Sequence, residues 1–274
     1  MIYLGHYEED IFLSLAKEEA MIELVKKGVG SLFFTARVLK PSITIAENED
    51  IRDINLEKCL RDGIHLARRM GPGSAIWLDK GVLSYFFISP KTSVLEEFKL
   101  HEKLGYKIAL ALKSFGINPV YVGEKFSIAL GPRANDVISG NAVILKRDYF
   151  LYHGILALEK WKVKRFKKYL VLRRNENIDE EKLIAELPAI YEKISRSITP
   201  KEISWQIAKY ISEDMLLLAS PYLKERWLNL AEPLVMKYKR SLESFSGIGI
   251  TRSNMGFCLI ALSETWQEKN FYQV

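Results

Sequence analysis

The residues with the clearest chemical potential lie in a short stretch in which two arginines precede a turn of small residues. Arg68 and Arg69 are followed by Gly71, Pro72 and Gly73, and the chain then becomes apolar. Glycine lets the backbone approach a ligand closely because it has no side chain, and exposed amides of such a turn bind anions. Arginine adds bidentate contacts to phosphate or carboxylate groups. The stretch therefore predicts a site for a nucleotide or an acyl phosphate.

A second polar stretch interrupts the apolar runs of residues 134–158. Its small and polar members are Ser139, Gly140, Asn141, Ala142, His153 and Gly154. The residues alone are equally compatible with two antiparallel strands, turns at their ends and a half-buried His153. The sequence has no P-loop, and no Gly-x-Gly-x-x-Gly turn opens a helix after a strand. The nucleotide-binding folds that carry those motifs are therefore not predicted.

The elements that must position these stretches are predicted in the order helix, strands, helix, many strands, helices. Apolar residues at helical spacing predict a helix over 11–27. Runs rich in β-branched and aromatic residues predict two strands within 31–47, a hairpin over 75–89 through a turn at 79–81, and four strands within 119–158. Because strands and helices do not alternate regularly, the pattern predicts an α+β fold with a mainly antiparallel sheet flanked by helices.

Helices are also predicted for the last third of the chain. One spans residues 178–194, and another starts at Thr199 with Pro200 at its first position and Glu202 completing a capping box. Residues from 211 change character, with proline-interrupted helical segments and a glycine-rich turn. The chain is therefore predicted to divide into a main domain at 1–210 and a C-terminal extension at 211–274.

Composition sets limits on the class of protein. The 274 residues are 48% hydrophobic and 27% charged, which is typical of a globular protein, and no apolar run reaches the ~18 residues needed to cross a membrane. No signal peptide is visible, so a cytoplasmic location without membrane partners is expected. Cys59 and Cys258 form no paired motif, and His6, His65, His101 and His153 show no metal-ligand spacing. No metal site is predicted.

The net charge of +6 is mild, but the positive charge is dense within residues 160–174. The cations are Lys160, Lys162, Lys164, Arg165, Lys167, Lys168, Arg173 and Arg174. This run is either a solvated face or a docking surface for an acidic partner. The acidic residues that follow it interrupt a phosphate-tracking stripe, so nucleic acid is not expected even though aromatic residues interleave with the cations.

Together these stretches resemble the lipoate–protein ligases, a branch of the wider biotin and lipoate ligase family. That branch carries R-R-x-S-G-G-G-A-V-aromatic-H-D, which residues 68–79 match as R-R-M-G-P-G-S-A-I-W-L-D. Its K-I-S-G-S/N-A and H-H-G-T-L-L segments match V-I-S-G-N-A at 137–142 and Y-H-G-I-L-A at 152–157. Residues 13–21 resemble its N-L-A-x-E-E helix, and the likeness spans roughly residues 8–210.

The resemblance implies a ligase-type catalytic domain, similar to class II aminoacyl-tRNA synthetases, that activates lipoate or octanoate with ATP and Mg²⁺. The acyl-adenylate then acylates a lysine of an acidic lipoyl domain, which the basic run at 160–174 would suit, and Arg69 would lie near the nucleotide phosphates. The nucleotide- and acyl-binding residues implied are Arg68, Arg69, Gly71, Gly73, Ser74, Ala75, Ile76, Trp77, Ser139, Gly140, Asn141, Ala142, His153 and Gly154.

The sequence departs from the family pattern at the position of a lysine that lies between the adenylate phosphate and the acyl carbonyl. Val137 stands there and can neither carry charge nor donate a hydrogen bond. Lys125 and Lys146 are the nearest lysines in the sequence. Loss of one such donor typically lowers the rate by about 10² to 10³. A divergent active site is therefore expected.

Further departures lie in the loops, and three functions remain open. Pro72 removes an amide donor, Leu78 replaces the loop histidine, and A-E-N at 46–48 replaces G-R-N.

The chain is either an ATP-dependent ligase, an ATP-independent octanoyl or lipoyl transferase using Cys59 or Cys258 as the thioester-forming residue, or a non-catalytic subunit that binds a lipoyl domain. A second subunit that completes the active site fits the first and third of these.

Overall fold

The protein is an α+β structure in the computed structural model, which describes residues 1–47, 49–91, 94–130, 136–160, 163–171, 188–212 and 215–241. The strands are β1 (Ile2–Glu9), β2 (Leu32–Val38), β3 (Ser42–Ile45), β4 (His65–Arg68), β5 (Ile76–Leu78), β6 (Val82–Pro90), β7 (Pro119–Val122), β8 (Ser127–Leu130), β9 (Asp136–Leu145), β10 (Tyr149–Ala157) and β11 (Leu217–Leu218). The helices are α1 (Ile11–Lys26), α2 (Leu56–Arg61), α3 (Val94–Lys113), α4 (Val163–Lys167), α5 (Pro200–Ile211) and α6 (Pro221–Lys239).

Eight strands form one large sheet in the order β11-β1-β2-β6-β10-β9-β8-β7. The pairs β11–β1 and β1–β2 are parallel, and all pairs from β2 to β7 are antiparallel. A second sheet has the order β4-β3-β5. The predicted α+β class with a mainly antiparallel sheet is confirmed.

Helices cover both faces of the large sheet. On one face, α3 and α5 supply residues such as Leu104, Leu112 and Ile207 to a core that includes Tyr85 and Tyr152. On the other face, α1 and α6 pack over the strands and against each other. Because β6 lies between two strands and under helices on both sides, eight of its nine residues are buried and its sequence lacks an alternating pattern. The central strands therefore form a rigid floor for any site built on them.

One local prediction about strand pairing is wrong, although the strands themselves exist. Asp79 and Gly81 form the predicted turn, with a 2.8 Å hydrogen bond from the Gly81 amide to the Asp79 carboxylate. The strands on either side, β5 and β6, nevertheless belong to different sheets. The two strands predicted within 31–47 are confirmed as β2 and β3, which lie in different sheets, whereas the sequence analysis does not include β1. A turn residue directs only the chain reversal, whereas pairing depends on partners distant in the sequence.

The ends of the helices follow local chemistry. The side chain of Asp10 accepts a 2.8 Å hydrogen bond from the Phe12 amide and so caps α1. The predicted capping box of α5 is confirmed, because the Thr199 hydroxyl accepts from the Glu202 amide and the Glu202 carboxylate accepts from the Thr199 amide. These caps satisfy amides that the helix itself leaves unpaired.

Residues after α5 add one edge strand and one long helix. The strand β11 pairs with β1, and α6 lies along α1. The predicted helix at 178–194 lies partly outside the described residues, which contain only a 3-10 turn at Ile190–Glu192. Residues 242–274 are also outside them, so the division of the chain at residue 211 stays a prediction. Across the described ranges, no helix combines the length and apolarity that crossing a membrane requires.

A buried ion pair joins β1 to α1 under the cover of α6. The Lys17 ammonium contacts the Glu9 carboxylate, whose other oxygen accepts a 3.0 Å hydrogen bond from Ser14. The ammonium also lies 3.6 Å from the centroid of the Tyr7 ring, and the indole N–H of Trp227 donates to the Lys17 carbonyl at 2.8 Å. Burial lowers the pKa of Lys17 and raises the pKa of Glu9, while their mutual attraction opposes both shifts.

Removing one member of this pair should destabilise the protein strongly. Lys17→Met leaves the Glu9 carboxylate buried without its cation, which typically costs about 3–5 kcal/mol. The double change Lys17→Met/Glu9→Gln should recover most of that loss. Lys26→Met is the matched control, because it breaks an exposed pair with Glu23 worth less than about 1 kcal/mol. Urea unfolding measures all three, and equal losses for Lys17→Met and Lys26→Met would contradict this account.

Candidate active site

The small-residue turn is held in place by the guanidinium of Arg69. This side chain is 7% exposed and donates to the carbonyls of Thr44 at 3.1 Å, Pro72 at 3.3 Å and Ser74 at 2.8 Å. Its own amide donates to the Ile45 carbonyl at 2.9 Å. One arginine thus joins the central strand of the small sheet to both sides of the turn. Arg69 therefore holds the backbone of the turn, whereas the family resemblance implied that it would lie near the nucleotide phosphates.

Arg68 anchors the segment beside the turn. Its Nη1 donates to the carbonyls of Ala46 at 2.5 Å, Glu47 at 2.9 Å and Glu49 at 2.9 Å. Its backbone amide donates to Ser241 Oγ at 3.2 Å, just beyond α6. The two arginines therefore fix two neighbouring loops, and α6 ends against one of them.

The Glu49 carboxylate accepts hydrogen bonds from two backbone amides beside the turn. Glu49 accepts from the amide of Ala75 at 2.8 Å through one oxygen and from the amide of Ala46 at 3.1 Å through the other. Burial raises the pKa of Glu49, and these amides and the charge of Arg69 oppose that shift. The amide of Ala75, which the sequence predicted beside a nucleotide, is thus bonded to an internal anion. Sequence reasoning missed Glu49 because its partner is 26 residues away.

His153 meets both the turn and helix α1. Its Nδ1 lies 2.5 Å from Oε1 of Glu18, a residue with no exposed surface. Gly71 has φ +89°, and a Cβ there would lie 2.8 Å from Ile144 Cδ1 and 3.5 Å from the His153 ring. Only glycine fits this close approach without strain. His153 is paired across the strands with Ala142. Glu18, Gly71, Ala142 and His153 form the centre of the candidate site.

The second predicted motif is divided between the two faces of the large sheet. The Tyr85 hydroxyl lies 2.9 Å from the Ser139 hydroxyl, and the side-chain amide of Asn141 donates to the Phe126 carbonyl at 2.9 Å. A Cβ at Gly154 would collide with the Tyr85 hydroxyl and the Asn141 side chain. Ser139, Asn141 and Gly154 thus share the face covered by α3.

Alternation along the strands places Gly140 and Ala142 on the opposite face, with His153. Gly73, the second glycine of the small-residue turn, has φ +113° and lies against the Arg69 guanidinium. Ile76 is partly buried against the core under α1. Trp77 is 2% exposed and stacks on Tyr169 in the core of the small sheet, so it lies away from His153.

Closeness to Val137 in the sequence does not decide whether Lys125 or Lys146 takes its place, because the fold sets their positions. Val137 is 8% exposed and pairs with Ala129 of β8. Lys146 is exposed in the turn after β9, about 13 Å along the strand from Ala142 at 3.3 Å per residue. Lys125 precedes Phe126, whose carbonyl accepts 2.8 Å and 2.9 Å hydrogen bonds from the amide and side chain of Asn141. The fold therefore brings Phe126, the neighbour of Lys125, to the 139–142 segment, whereas Lys146 lies beyond the end of β9.

The remaining predicted candidates do not join this cluster. Cys59 is buried in the core of the small sheet, and burial raises the pKa of its thiol to about 11. Cys258 lies outside the described residues. Within the described ranges, no group of three His, Cys, Asp or Glu side chains is arranged to hold a metal ion.

The basic run is only partly within the described residues, which include 160 and 163–171. Arg165 and Lys168 are exposed there, and Lys160 pairs with Glu192 at 3.3 Å. The interleaved aromatics Phe166 and Tyr169 are 2% and 6% exposed and pack into the core of the small sheet. They do not form a stacking platform for bases, so this part of the run presents cations alone.

The chain is similar to known proteins of one family. The model of the lipoyl protein ligase A/B catalytic domain matches residues 10–212. Lipoate–protein ligase 1 of Staphylococcus aureus is 29% identical over 150 residues, 54% of this chain and 43% of that protein. Lipoate-protein ligase A of Bdellovibrio bacteriovorus is 30% identical over 147 residues, 53% of this chain and 41% of that protein. The chain spans less than half the length of these relatives in the matches.

Solved structures share the fold at lower identity. An archaeal lipoylation system from Thermoplasma acidophilum, described as a bi-partite lipoate protein ligase and its E2 lipoyl domain, superimposes with a TM-score of 0.72 at 17% identity, over 93% of this chain and 100% of that one. A lipoate-protein ligase A bound with ATP has a TM-score of 0.65 at 17% identity, over 88% and 96% of the two chains.

Gly71→Ala should destabilise the protein by more than the cost of its left-handed backbone conformation alone. The left-handed conformation alone costs a non-glycine residue about 1–2 kcal/mol, and the new Cβ would also displace the Ile144 side chain of β9, while it would lie in ordinary contact with the His153 ring. Gly28→Ala is the matched control, since Gly28 has φ +82° with nothing within 4 Å of its Cβ position. Thermal unfolding should show a larger loss for Gly71→Ala. Equal losses in the two variants would show that the turn does not press on β9.

Proposed function

Because the chain belongs to the lipoyl protein ligase A/B catalytic domain family, we propose that it activates lipoate or octanoate with ATP and transfers the acyl group to a lysine of a lipoyl domain. The observation that carries the proposal is the contact of three family segments in one place. The turn at Gly71, the strand residue His153 and the helix residue Glu18 meet there, although they are far apart in the sequence.

The same face of the sheet offers an apolar lining for an acyl chain. Leu13 on α1, Met70 before the turn, Ile76 on β5 and Ile155 on β10 are partly buried against the core under α1. Partly exposed apolar side chains beside convergent polar groups are typical of small-molecule sites. They support an aliphatic carboxylic acid as the substrate class.

The proposed chemistry has two steps. The carboxylate oxygen of the acid attacks the α-phosphorus of ATP, and pyrophosphate leaves with the electron pair of the broken bond. The amine of the acceptor lysine then attacks the acyl carbon, and AMP leaves. Such catalysis consists mostly of positioning and of stabilising the developing charge on oxygen. Mg²⁺ is bound largely through nucleotide phosphates in such sites, and it would arrive here with ATP, since the described residues offer no three-ligand cluster.

Lys125 is the side chain we propose for the charge that Val137 cannot supply. Its neighbour Phe126 adopts a left-handed conformation, with φ 46°, and its carbonyl is bound twice by Asn141. A non-glycine residue in this conformation is uncommon and is concentrated at functional sites. The strained turn thereby fixes the position from which the Lys125 side chain starts.

A non-catalytic, lipoyl-domain-binding subunit is the second candidate, and Val137 favours it. This side chain is buried and uncharged at a position where the family carries a lysine. The bi-partite ligase of Thermoplasma acidophilum with its E2 lipoyl domain supports a lipoyl domain as the partner and a second chain that completes the site. A cysteine-dependent transferase has less support, because the burial and raised pKa of Cys59 do not suit a thioester-forming nucleophile.

Intact-mass detection of acyl transfer tests the proposal. The protein is mixed with ATP, Mg²⁺, lipoate or octanoate and a lipoyl domain, and the mass of that domain should rise only when ATP is present. Lys125→Met should lower the rate by about 10² to 10³, as expected for loss of one oxyanion donor. The matched control Lys146→Met should retain it.

The other outcomes separate the alternatives. A lipoyl domain that binds but gains no mass would contradict the ligase and support the binding subunit. A mass gain without ATP, from an acylated donor protein, would support a transferase. Equal rates for Lys125→Met and Lys146→Met would remove Lys125 from the proposed site.

A further inference from the structure

The Glu49 carboxylate lies where the backbone amides of two loops converge. One oxygen accepts from the Ala75 amide at 2.8 Å and the other from the Ala46 amide at 3.1 Å. The charge of Arg69 also favours the ionised form of this carboxylate. Turn amides combined with an arginine are donors that proteins commonly use to bind phosphate or carboxylate groups. The chain therefore contains both an anion-binding arrangement and the anion that occupies it.

Backbone bonds hold the loop that carries Glu49, independently of its carboxylate. Nη1 of Arg68 donates to the carbonyls of Ala46, Glu47 and Glu49. The Glu47 amide also donates to the Gly71 carbonyl at 3.4 Å. None of these bonds uses an atom of the Glu49 side chain, so that side chain can rotate away from the turn while both loops keep their positions.

Burial makes the Glu49 carboxylate a weakly held occupant. It raises the pKa of Glu49, while the amides of Ala46 and Ala75 and then the charge of Arg69 lower this pKa without cancelling the rise. The negative charge of Asp53 adds to the rise. A raised pKa means that these surroundings favour the ionised carboxylate, relative to its neutral form, less than water does. Moving the carboxylate from the amides into solvent therefore costs little, and another anion can replace it.

We propose that Glu49 is an internal competitor of the ligand at this turn. Its carboxylate keeps the Ala75 and Ala46 amides occupied in the unliganded protein, and it moves out when a phosphate or carboxylate oxygen of the ligand binds to them. The contact is autoinhibitory, because displacing Glu49 uses part of the free energy of ligand binding. The identity of the ligand, ATP or the acyl-adenylate formed from it, rests on the proposed function, whereas the internal contact does not.

Neighbouring charges also affect an anion that approaches this loop. Burial lowers the pKa of Arg68, and the charges of Glu49, Glu47 and Asp50 oppose that shift. Three carboxylates therefore lie within electrostatic range of Arg68 and repel an incoming phosphate. Loss of any one of them would raise the affinity for an anion to some extent. A test of the competition must therefore separate the loss of a charge from the release of the two amides.

Titration calorimetry of the full chain with ATP and Mg²⁺ measures the competition. Glu49→Ala should tighten ATP binding by about 10- to 100-fold, which corresponds to the net free energy of a hydrogen bond to a charged group. Glu49→Gln, which keeps the length of the side chain and removes its charge, should have an affinity between those of this variant and the wild type. Glu47→Ala is the matched control, because it removes an exposed carboxylate of the same loop and should change the affinity by no more than about fivefold.

Acetate tests the anion site without a nucleotide. Glu49→Ala removes one methylene group and the carboxylate, and acetate matches this missing group in size and charge. In thermal unfolding at constant ionic strength, replacing sodium chloride with sodium acetate should raise the Tm of Glu49→Ala by more than it raises the Tm of the wild type or of Glu47→Ala. Acetate should also weaken ATP binding to Glu49→Ala, because the two anions would share the Ala75 amide.

Two results would overturn the inference and leave the proposed function intact. One is ATP binding in Glu49→Ala that is no tighter than in Glu47→Ala, which would indicate that the carboxylate supports the turn and does not compete with the ligand. The other is an equal acetate response in all three proteins. If none of the proteins bound ATP, the proposed function would fail, whereas a selective acetate response of Glu49→Ala would still support an exchangeable anion site under Glu49.

Discussion

The site depends on one buried guanidinium that holds the backbone of the small-residue turn. Arg69 donates to carbonyls on the small sheet and on both sides of the small-residue turn. Its planar, permanently charged fork can bind several carbonyls at fixed angles, which the single ammonium of a lysine cannot do. The same turn places Gly71 beside the His153 ring. Arg69 is the side chain that bonds the turn on both sides. It therefore fixes the positions of Gly71 and Gly73, and with them the contact with β10 and the Ala75 amide.

The large sheet converts a linear motif into two chemically different surfaces. Alternate residues of β9 and β10 face opposite sides, so His153 meets α1 and the turn while Gly154 lies under the Tyr85 hydroxyl. The glycine is needed because the tyrosine and Asn141 already occupy the space of a side chain. A contiguous motif thus faces the candidate site on one side of the sheet and packs under α3 on the other.

Much of the fold and part of the site could be predicted from the sequence. The helix at 11–27, the strands on either side of Lys146 and the capping box at Thr199 follow from local patterns and were confirmed. The hairpin predicted at Asp79 was wrong, because β5 and β6 enter different sheets and no local pattern encodes that choice. Glu18 and Glu49 were missed for the same reason. Their partners lie 135 and 26 residues away, and only the folded chain brings them together.

The central claim is that the acyl-adenylate binds between the turn and the floor formed by β9 and β10. Hydrogen exchange measured with and without a non-hydrolysable lipoyl-adenylate analogue tests it most directly. Amides of residues 70–75 should exchange more slowly when the analogue is bound, while those of the turn at 28–30 should not change. Unchanged exchange at 70–75 under saturating analogue, or protection confined to another part of the chain, would contradict the account.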